Sequence, residues 1–366
     1  MSKRDLSLDL IRTFAIVGVV ATHTEDITSS TSNYLGGLSW WFANTIHSLI
    51  SVSVPLFVML TGSLLLSRQE IKYSYIIQKT FKKLFLPFVF WWLFYVWRQS
   101  FNLKIPINIT DLSLKFVMAD VGHLYYLLIA IGLYLVSPKL KEFLIVSSQS
   151  QQQKFLWSLT LISIVCHNFS FLFFKNIQFV NLLTIFLPFI SYLLWGYFLA
   201  RKPISKKTWW AMFFVSIGIT LSLSLATYLN TSAWNNGFKL FWTLKQGNFF
   251  GEPFFLPVFV LAGLVFLLLK NAPQLFPKYF NSKQLTYLIN QTAISAFGIY
   301  LIHPVIIDLV NDKLGMGIQF VAYPLWLYYS LKTLLVFCVS GAIIFVSRNL
   351  VSKYSFKQPS RAEQSL

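Results

Sequence analysis

The sequence predicts an all-α integral membrane protein that crosses the bilayer about ten times and keeps both termini in the cytoplasm. Of its 366 residues, 56% are hydrophobic and only 11% are charged, whereas a soluble domain carries about 25% charged residues. Apolar runs long enough to cross a bilayer recur along the whole chain with only short polar gaps. Lysine and arginine gather in alternate gaps, which is the distribution that orients membrane proteins.

The hydropathy places the spans in order along the chain. They cover residues 7–27, 40–66, 84–101, 121–138, 155–174, 179–200, 208–229, 253–270, 292–311 and 324–347. Pro55 and Pro304 predict kinks in the second and ninth spans, because proline lacks the backbone N–H of a regular helix. Residues 1–348 are interpreted as one membrane domain and residues 349–366 as a polar cytoplasmic tail.

The charge distribution sets the predicted orientation. With the N-terminus inside, the inner segments hold about three times as many Lys and Arg as the outer ones. The net charge of +18 therefore does not indicate a nucleic-acid partner, because it is divided among short gaps between spans. Most acidic residues and all five histidines fall toward the predicted outer side, so we expect proton-transfer chemistry there.

The first span carries three residues that could perform chemistry: Asp9, Arg12 and His23. Charged groups inside a span are costly and indicate function. Eleven residues separate Arg12 from His23, which is about 16 Å along a helix and returns to nearly the same face. Imidazole is suited to act as a general base on a hydroxyl, and arginine to bind phosphate. The alternative is a structural Asp9–Arg12 ion pair with an interfacial His23.

Four segments resemble one known family. In chain order they are LDLIRTFA at 8–15 with His23, VPLFVMLTG at 54–62, HLYYL at 123–127 with LYL at 133–135 and Pro138, and FGIYLIHP at 297–304. They resemble the opening helix, the PLFFxxSG helix, the HLWYL…LYL…P segment and the IYLIHP helix of the membrane acyltransferase 3 family. The chain is most similar to the branch of surface-polysaccharide O-acetyltransferases that lacks a fused extracytoplasmic hydrolase-like domain.

This resemblance implies a multi-pass plasma-membrane acyltransferase of the cell envelope. Its donor would be acyl-CoA, usually acetyl-CoA, and its acceptor a hydroxyl of a cell-surface or lipid-linked glycan. His23 would be the essential histidine, Arg12 the first-helix arginine, and Asp9 the residue that orients Arg12. Besides membrane lipids, acyl-CoA and the glycan, no further partner is implied, and the sequence has no metal-ligand spacing, so we expect no metal.

The start of the third span departs from the family pattern. The family has an RxxR motif there for the donor, whereas this chain has Lys79, Lys82 and Lys83. Lysine cannot make the bidentate contact of arginine with phosphate. These lysines are therefore interpreted either as part of the donor site or as a basic cluster that only fixes topology.

Three further residues are candidates for substrate binding: His123, His303 and Glu252. His123 and His303 belong to family-like segments, and Glu252 precedes a proline at a predicted outer end. Because residues before proline avoid the α conformation, His303 is expected at an irregular, polar position inside its span. The alternatives are an interfacial His123, a packing role for His303 and a solvated Glu252.

Two other functions stay open from the sequence. A polysaccharide exporter or flippase, a role assigned to some members of the same superfamily, would need a polar path but no catalytic base. A membrane-bound O-acyltransferase of the unrelated histidine-containing class would carry its key histidine in a later helix, which the position of His23 argues against. No nucleotide-binding, serine-hydrolase or zinc-protease motif occurs in the sequence.

Overall fold

A computed structural model describes residues 5–24, 35–70, 72–103, 122–173, 178–236, 251–314 and 324–355. Within these ranges every regular element is a helix, which confirms the predicted all-α class. The α-helices are α1 (Leu6–Thr24), α2 (Leu38–Ile50), α3 (Ser53–Leu65), α4 (Tyr73–Thr80), α5 (Leu86–Leu103), α6 (Tyr125–Val146), α7 (Gln149–Phe173), α8 (Gln178–Leu199), α9 (Lys206–Asn235), α10 (Leu256–Leu275), α11 (Pro277–Phe280), α12 (Lys283–Lys313) and α13 (Leu325–Ser355). A π-helix covers Phe81–Phe85, and a 3₁₀ turn covers Gly122–Leu124.

Six stretches of the described residues are long and apolar enough to cross a bilayer. They are Leu6–Thr24, Leu38–Leu65, Lys206–Ala233, Leu256–Leu275, Lys283–Lys313 and Trp326–Val351. These correspond to the first, second and seventh to tenth predicted spans. The third to sixth predicted spans coincide with α5 to α8, and their crossing of the membrane stays a prediction, as does the orientation of the termini. Helix α13 continues to Ser355, and residues 356–366 of the predicted tail lie outside the described residues.

The two prolines singled out in the sequence behave differently. In the second span, α2 ends at Ile50 and α3 begins at Ser53, because Pro55 has no N–H to donate to the carbonyl of Ser51. In the ninth span, α12 continues through Pro304 to Lys313. The expectation that His303 leaves the α conformation is therefore wrong, and the side chain of His303 itself supplies the reason, as described below.

The chain divides into two compact units. The first contains Met1–Ser53, Ile217–Gly251 and Leu269–Leu366, and the second contains Val54–Ser216 and Glu252–Leu268. In the first unit, α1 packs against α2, α12 and α13, and α13 also packs against α12 and α2. In the second unit, α8 packs against α6 and α7, and α4 packs against α6.

Small residues allow close helix contacts in the second unit. A Cβ atom at Gly62 of α3 would overlap the carbonyl oxygen of Leu193 on α8, and one at Gly196 of α8 would overlap the carbonyl oxygen of Met59 on α3. The two backbones therefore approach each other as closely as glycine permits, a common arrangement between membrane helices. This contact fixes α8 against the end of α3, next to the turn that carries Arg68.

Candidate active site

Helix α1 holds all three first-span candidates, so their predicted spacing lies within one uninterrupted helix. The carboxylate of Asp9 is buried and accepts a hydrogen bond from the guanidinium of Arg12, with 3.3 Å between Nη1 and Oδ1. Three residues apart on a helix, these side chains share a face. The structural interpretation and the interpretation in which Asp9 orients Arg12 both include this ion pair, so the role of Arg12 in donor binding stays a prediction.

His303 is completely buried on α12. Its Nδ1 lies 2.8 Å from the carbonyl oxygen of Tyr300 and 3.2 Å from that of Ile299. A carbonyl oxygen can only accept a hydrogen bond, so Nδ1 must carry the proton. In the neutral ring, Nε2 is then the nitrogen with a lone pair.

Pro304 explains why this hydrogen bond exists. In a regular helix the N–H of residue 304 would donate to the carbonyl of Tyr300, four residues earlier. Proline has no N–H, so the carbonyl of Tyr300 loses that donor, and Nδ1–H of His303 replaces it. This hydrogen bond supports the helical path of α12 through Pro304 and at the same time fixes the tautomer of His303.

The structure brings His23 and His303 together. Their ring centroids are 5.1 Å apart, and the ring planes are tilted by 42°. His23 is exposed and His303 is buried, so the pair has one accessible and one enclosed member. The sequence assigned these histidines separate tasks, one as a base and the other in substrate binding. Their contact makes them one candidate catalytic site.

Two neighbouring residues of α13 were not singled out from the sequence, and one of them contacts the residue after His23. The hydroxyl of Thr333 lies 2.5 Å from that of Thr24, the residue after His23. The neighbouring Lys332 is buried, with 4% of its surface exposed, and its Nζ lies 6.0 Å from the ring centroid of Tyr328. The signal was present, because a lysine inside a predicted span is costly and indicates function.

The other two candidates for substrate binding lie in the second unit. His123 is buried in the 3₁₀ turn before α6, and its ring meets that of Tyr95 edge-on at 5.0 Å between centroids. Glu252 is partly buried before Pro253, within electrostatic range of Tyr125. These contacts lie within the second unit, whereas the histidine pair lies within the first. The roles of His123 and Glu252 in acceptor binding stay predictions.

The predicted donor lysines also lie in the second unit. Lys82 and Lys83 are exposed in the π-helix before Pro87. A π-helix is wider than an α-helix and accommodates the N–H that proline lacks, and such segments are frequent at functional sites. Lys79 is partly buried on α4, and its Nζ lies 5.7 Å from the ring centroid of Tyr75 and 5.4 Å from that of Tyr134.

Comparison with known proteins identifies a family. A family model described as an acyltransferase domain matches residues 5–345, nearly the whole chain. No curated protein matches the chain, and no solved structure matches it. The matched region includes the histidine pair, the Asp9–Arg12 ion pair and the basic residues of the second unit.

Proposed function

Because the chain belongs to the membrane acyltransferase 3 family and is therefore a membrane acyltransferase, we propose that it moves an acetyl group from cytoplasmic acetyl-CoA to a hydroxyl of a cell-surface or lipid-linked glycan. The contact between His23 and His303 is the observation that carries the proposal. Acyl transfer to a hydroxyl needs a base that accepts its proton. A pair of imidazoles, one accessible and one enclosed, supplies such a group without charged side chains.

The proposed transfer is direct. His23 removes the proton from the acceptor hydroxyl, and the oxygen attacks the thioester carbonyl of the donor. A C–O bond forms and the C–S bond breaks, so that the acetyl ester and the free thiolate are produced. The proton held by the imidazole then passes to the thiolate, which leaves as the thiol and returns His23 to its neutral form. In the alternative, the His23 imidazole attacks the thioester, so that a C–N bond forms as the C–S bond breaks. The acceptor oxygen then displaces the imidazole, a C–O bond replaces the C–N bond, and the hydroxyl proton ends on the thiol of the donor.

His303 serves as the positioning partner of His23 in this proposal. With Nδ1–H held by the carbonyls of Tyr300 and Ile299, its ring cannot exchange tautomers without losing these hydrogen bonds. Because Nε2 is fixed as a hydrogen-bond acceptor, it can orient the glycan hydroxyl or the ring of His23. This orientation lowers the entropic part of the activation barrier. The protein thereby pre-organises the base before substrate arrives.

Arg12 is assigned to the donor in this proposal. Its guanidinium is oriented by Asp9 and lies about 16 Å from His23 along α1, a distance that an extended pantetheine arm can span in large part. Lys79, Lys82 and Lys83 belong to the second unit and stay separate candidates for contact with the donor phosphates. Arginine is suited to this role because its planar guanidinium binds phosphate oxygens in pairs.

Labelled acetyl-CoA tests the proposal with purified protein in lipid nanodiscs. Wild-type protein should transfer label to envelope glycan and release free CoA, and His23→Ala should abolish both. Lys207→Gln, an exposed position at the start of α9, is the matched control and should retain activity. Wild-type label transfer by a normally expressed His23→Ala variant would refute the role of His23. Protein that neither binds nor transfers label would favour the exporter alternative.

A further inference from the structure

The turn between α3 and α4 collects cations from separate parts of the second unit. Arg68 lies in this turn. Lys141 of α6 donates to the carbonyl of Leu66 at 3.1 Å, and Arg201, which follows α8, donates to the hydroxyl of Ser67 at 3.5 Å. Lys141 and Arg201, which are far apart in sequence, therefore bind the two residues that directly precede Arg68.

Tyr75 joins a fourth cation to this group. Its hydroxyl accepts a hydrogen bond from Arg68 at 3.2 Å. The guanidinium carbon of Arg68 lies 5.5 Å from the ring centroid of Tyr75, and Nζ of Lys79 lies 5.7 Å from it. One aromatic ring thus contacts two like charges, each at a distance at which cation–π attraction operates.

Arg201 is held in a similar way. Its guanidinium carbon lies 3.7 Å from the ring centroid of Tyr197, a distance typical of a cation in contact with a ring face. Arg68 in the turn and Arg201 beside it are therefore both held by tyrosine rings, which limits their rotamers before any ligand binds. Pre-ordering of this kind favours affinity, because less side-chain entropy is lost on binding.

Carboxylates do not balance this charge in the part of the chain that the structure describes. Arg68, Lys79, Lys141 and Arg201 make no ion pair there, and neither does Glu70, two residues after Arg68. By contrast, Lys139 on the same helix as Lys141 pairs with Glu142 at 2.8 Å. The pKa of Lys79 is lowered by its burial and by the charge of Arg68, as expected where cations face each other without an anion.

We propose that Arg68, Arg201, Lys79 and Lys141 form a phosphate-binding site in the second unit, whose ligand is a phosphate ester. The ester belongs either to the nucleotide part of the donor, a source that rests on the function proposed above, or to the headgroup of an anionic lipid. The two guanidinium groups provide the bidentate contacts that Lys79, Lys82 and Lys83 cannot make. Arginines from two distant turns therefore compensate for the lysines at the start of the third span.

A basic cluster that only fixes topology makes a different prediction. For orientation in the membrane, lysine and arginine count alike, so Arg→Lys changes would be silent. A phosphate site that depends on bidentate contacts and on stacked guanidinium planes is weakened by the same changes. The conservative substitution therefore separates the two interpretations.

The test uses the full-length protein in phosphatidylcholine nanodiscs and a probe without a thioester, adenosine 3′,5′-bisphosphate. We expect Arg68→Gln and Arg201→Gln each to weaken probe binding by about ten-fold or more, the effect of losing one charge-assisted contact. Arg68→Lys and Arg201→Lys should weaken binding by a smaller but measurable factor. Lys207→Gln, which removes one exposed cation outside the cluster, should stay within about two-fold of wild type.

A second arm identifies the source of the phosphate. Wild-type protein, the two Arg→Gln variants and the two Arg→Lys variants are compared for retention of phosphatidylglycerol after purification from mixed phosphatidylcholine–phosphatidylglycerol membranes. Loss of probe binding supports a nucleotide ligand, and loss of lipid retention alone supports a lipid headgroup. If both readouts are the same in wild type and in the Arg→Gln variants, or if the Arg→Lys variants match wild type in both, the site does not exist.

The same experiment separates this inference from the proposed function. His23→Ala should bind the probe like wild type, because His23 belongs to the other unit and the probe needs no chemistry. Probe binding that depends on Arg68 and Arg201, in a protein that never transfers acetyl groups, would leave the phosphate site standing and refute the proposed function alone.

Discussion

His23 of α1 and His303 of α12 lie with their ring centroids 5.1 Å apart, although they are 280 positions apart in sequence. A second contact joins the same helices, because the hydroxyl of Thr13 donates to the carbonyl of Ile289. The later residue of α1, His23, contacts the later residue of α12, His303, so α1 and α12 run parallel. The packing of these helices, rather than a local motif, forms the histidine pair.

If the two histidines act as one unit, their substitutions will not be additive. We expect His23→Ala and His303→Ala each to lower the rate of acetyl transfer by about 10²–10⁴-fold, the usual contribution of acid–base catalysis. The double variant should be little slower than the worse single variant, since the second substitution removes a partner that no longer functions. Initial rates with labelled acetyl-CoA measure all three. Losses that multiply would show that the histidines work independently.

Pro304 should be needed for activity but not for folding. In Pro304→Ala the restored N–H can donate to the carbonyl of Tyr300, in competition with Nδ1–H of His303. We expect a lower turnover number with unchanged or higher thermal stability, because alanine is a far better helix former than proline. Turnover and the melting temperature in detergent are the two measurements.

Helix α6 provides a matched control for that substitution. There the hydroxyl of Ser137 donates to the carbonyl of Tyr134 at 2.6 Å, and the next residue, Pro138, is the one that leaves this carbonyl without its helix donor. Pro138→Ala changes the same local arrangement without touching a histidine, so its turnover should stay near wild type. An equal loss of turnover in both proline variants would attribute the effect to helix geometry and remove the assigned role of the His303 tautomer.

The sequence predicted that the chain is helical and that Asp9, Arg12 and His23 share one helix, because both depend on local patterns. Apolar runs define helices, and a spacing of eleven residues defines one face of α1. The histidine pair could not be predicted, because hydropathy does not specify which helices pack together. The conformation of His303 was predicted wrongly because the steric rule for residues before proline is a bias, and here the hydrogen bond from Nδ1–H to the carbonyl of Tyr300 offsets the donor that proline lacks.

The glycines that join α3 and α8 should be sensitive to a single methyl group. Gly62→Ala and Gly196→Ala each place a Cβ against a backbone carbonyl, which cannot rotate away as a side chain can. We expect each to destabilise the protein by about 1–3 kcal/mol, the usual cost of overpacking. Gly218 of α9 is the control, because a Cβ there has nothing within 4 Å. Melting temperatures of the purified variants test this, and an unaffected Gly62→Ala would contradict the close approach of the two helices.

Lys79 should couple phosphate binding to proton uptake. In the free protein its pKa is lowered first by burial, then by Arg68 and more weakly by Lys83, while Tyr75 opposes these effects. The ring of Tyr134 packs beside Lys79 from α6. A bound phosphate adds negative charge, which favours the protonated amine and raises this pKa again. Protons are therefore taken up on binding at a pH between the pKa of Lys79 in the free protein and its pKa in the complex. Affinity falls as the pH rises through that window toward the ordinary lysine value of about 10.4.

Calorimetry of adenosine 3′,5′-bisphosphate binding at about pH 9.5, in two buffers of different ionisation enthalpy, measures the uptake. Lys79→Arg keeps its charge at this pH and should lower the uptake while retaining affinity. The uptake that remains belongs to the hydroxyl of Tyr75, whose pKa is lowered by its hydrogen bond with Arg68 and by the charge of Lys79. Equal proton uptake in wild type and Lys79→Arg would place the titrating group elsewhere.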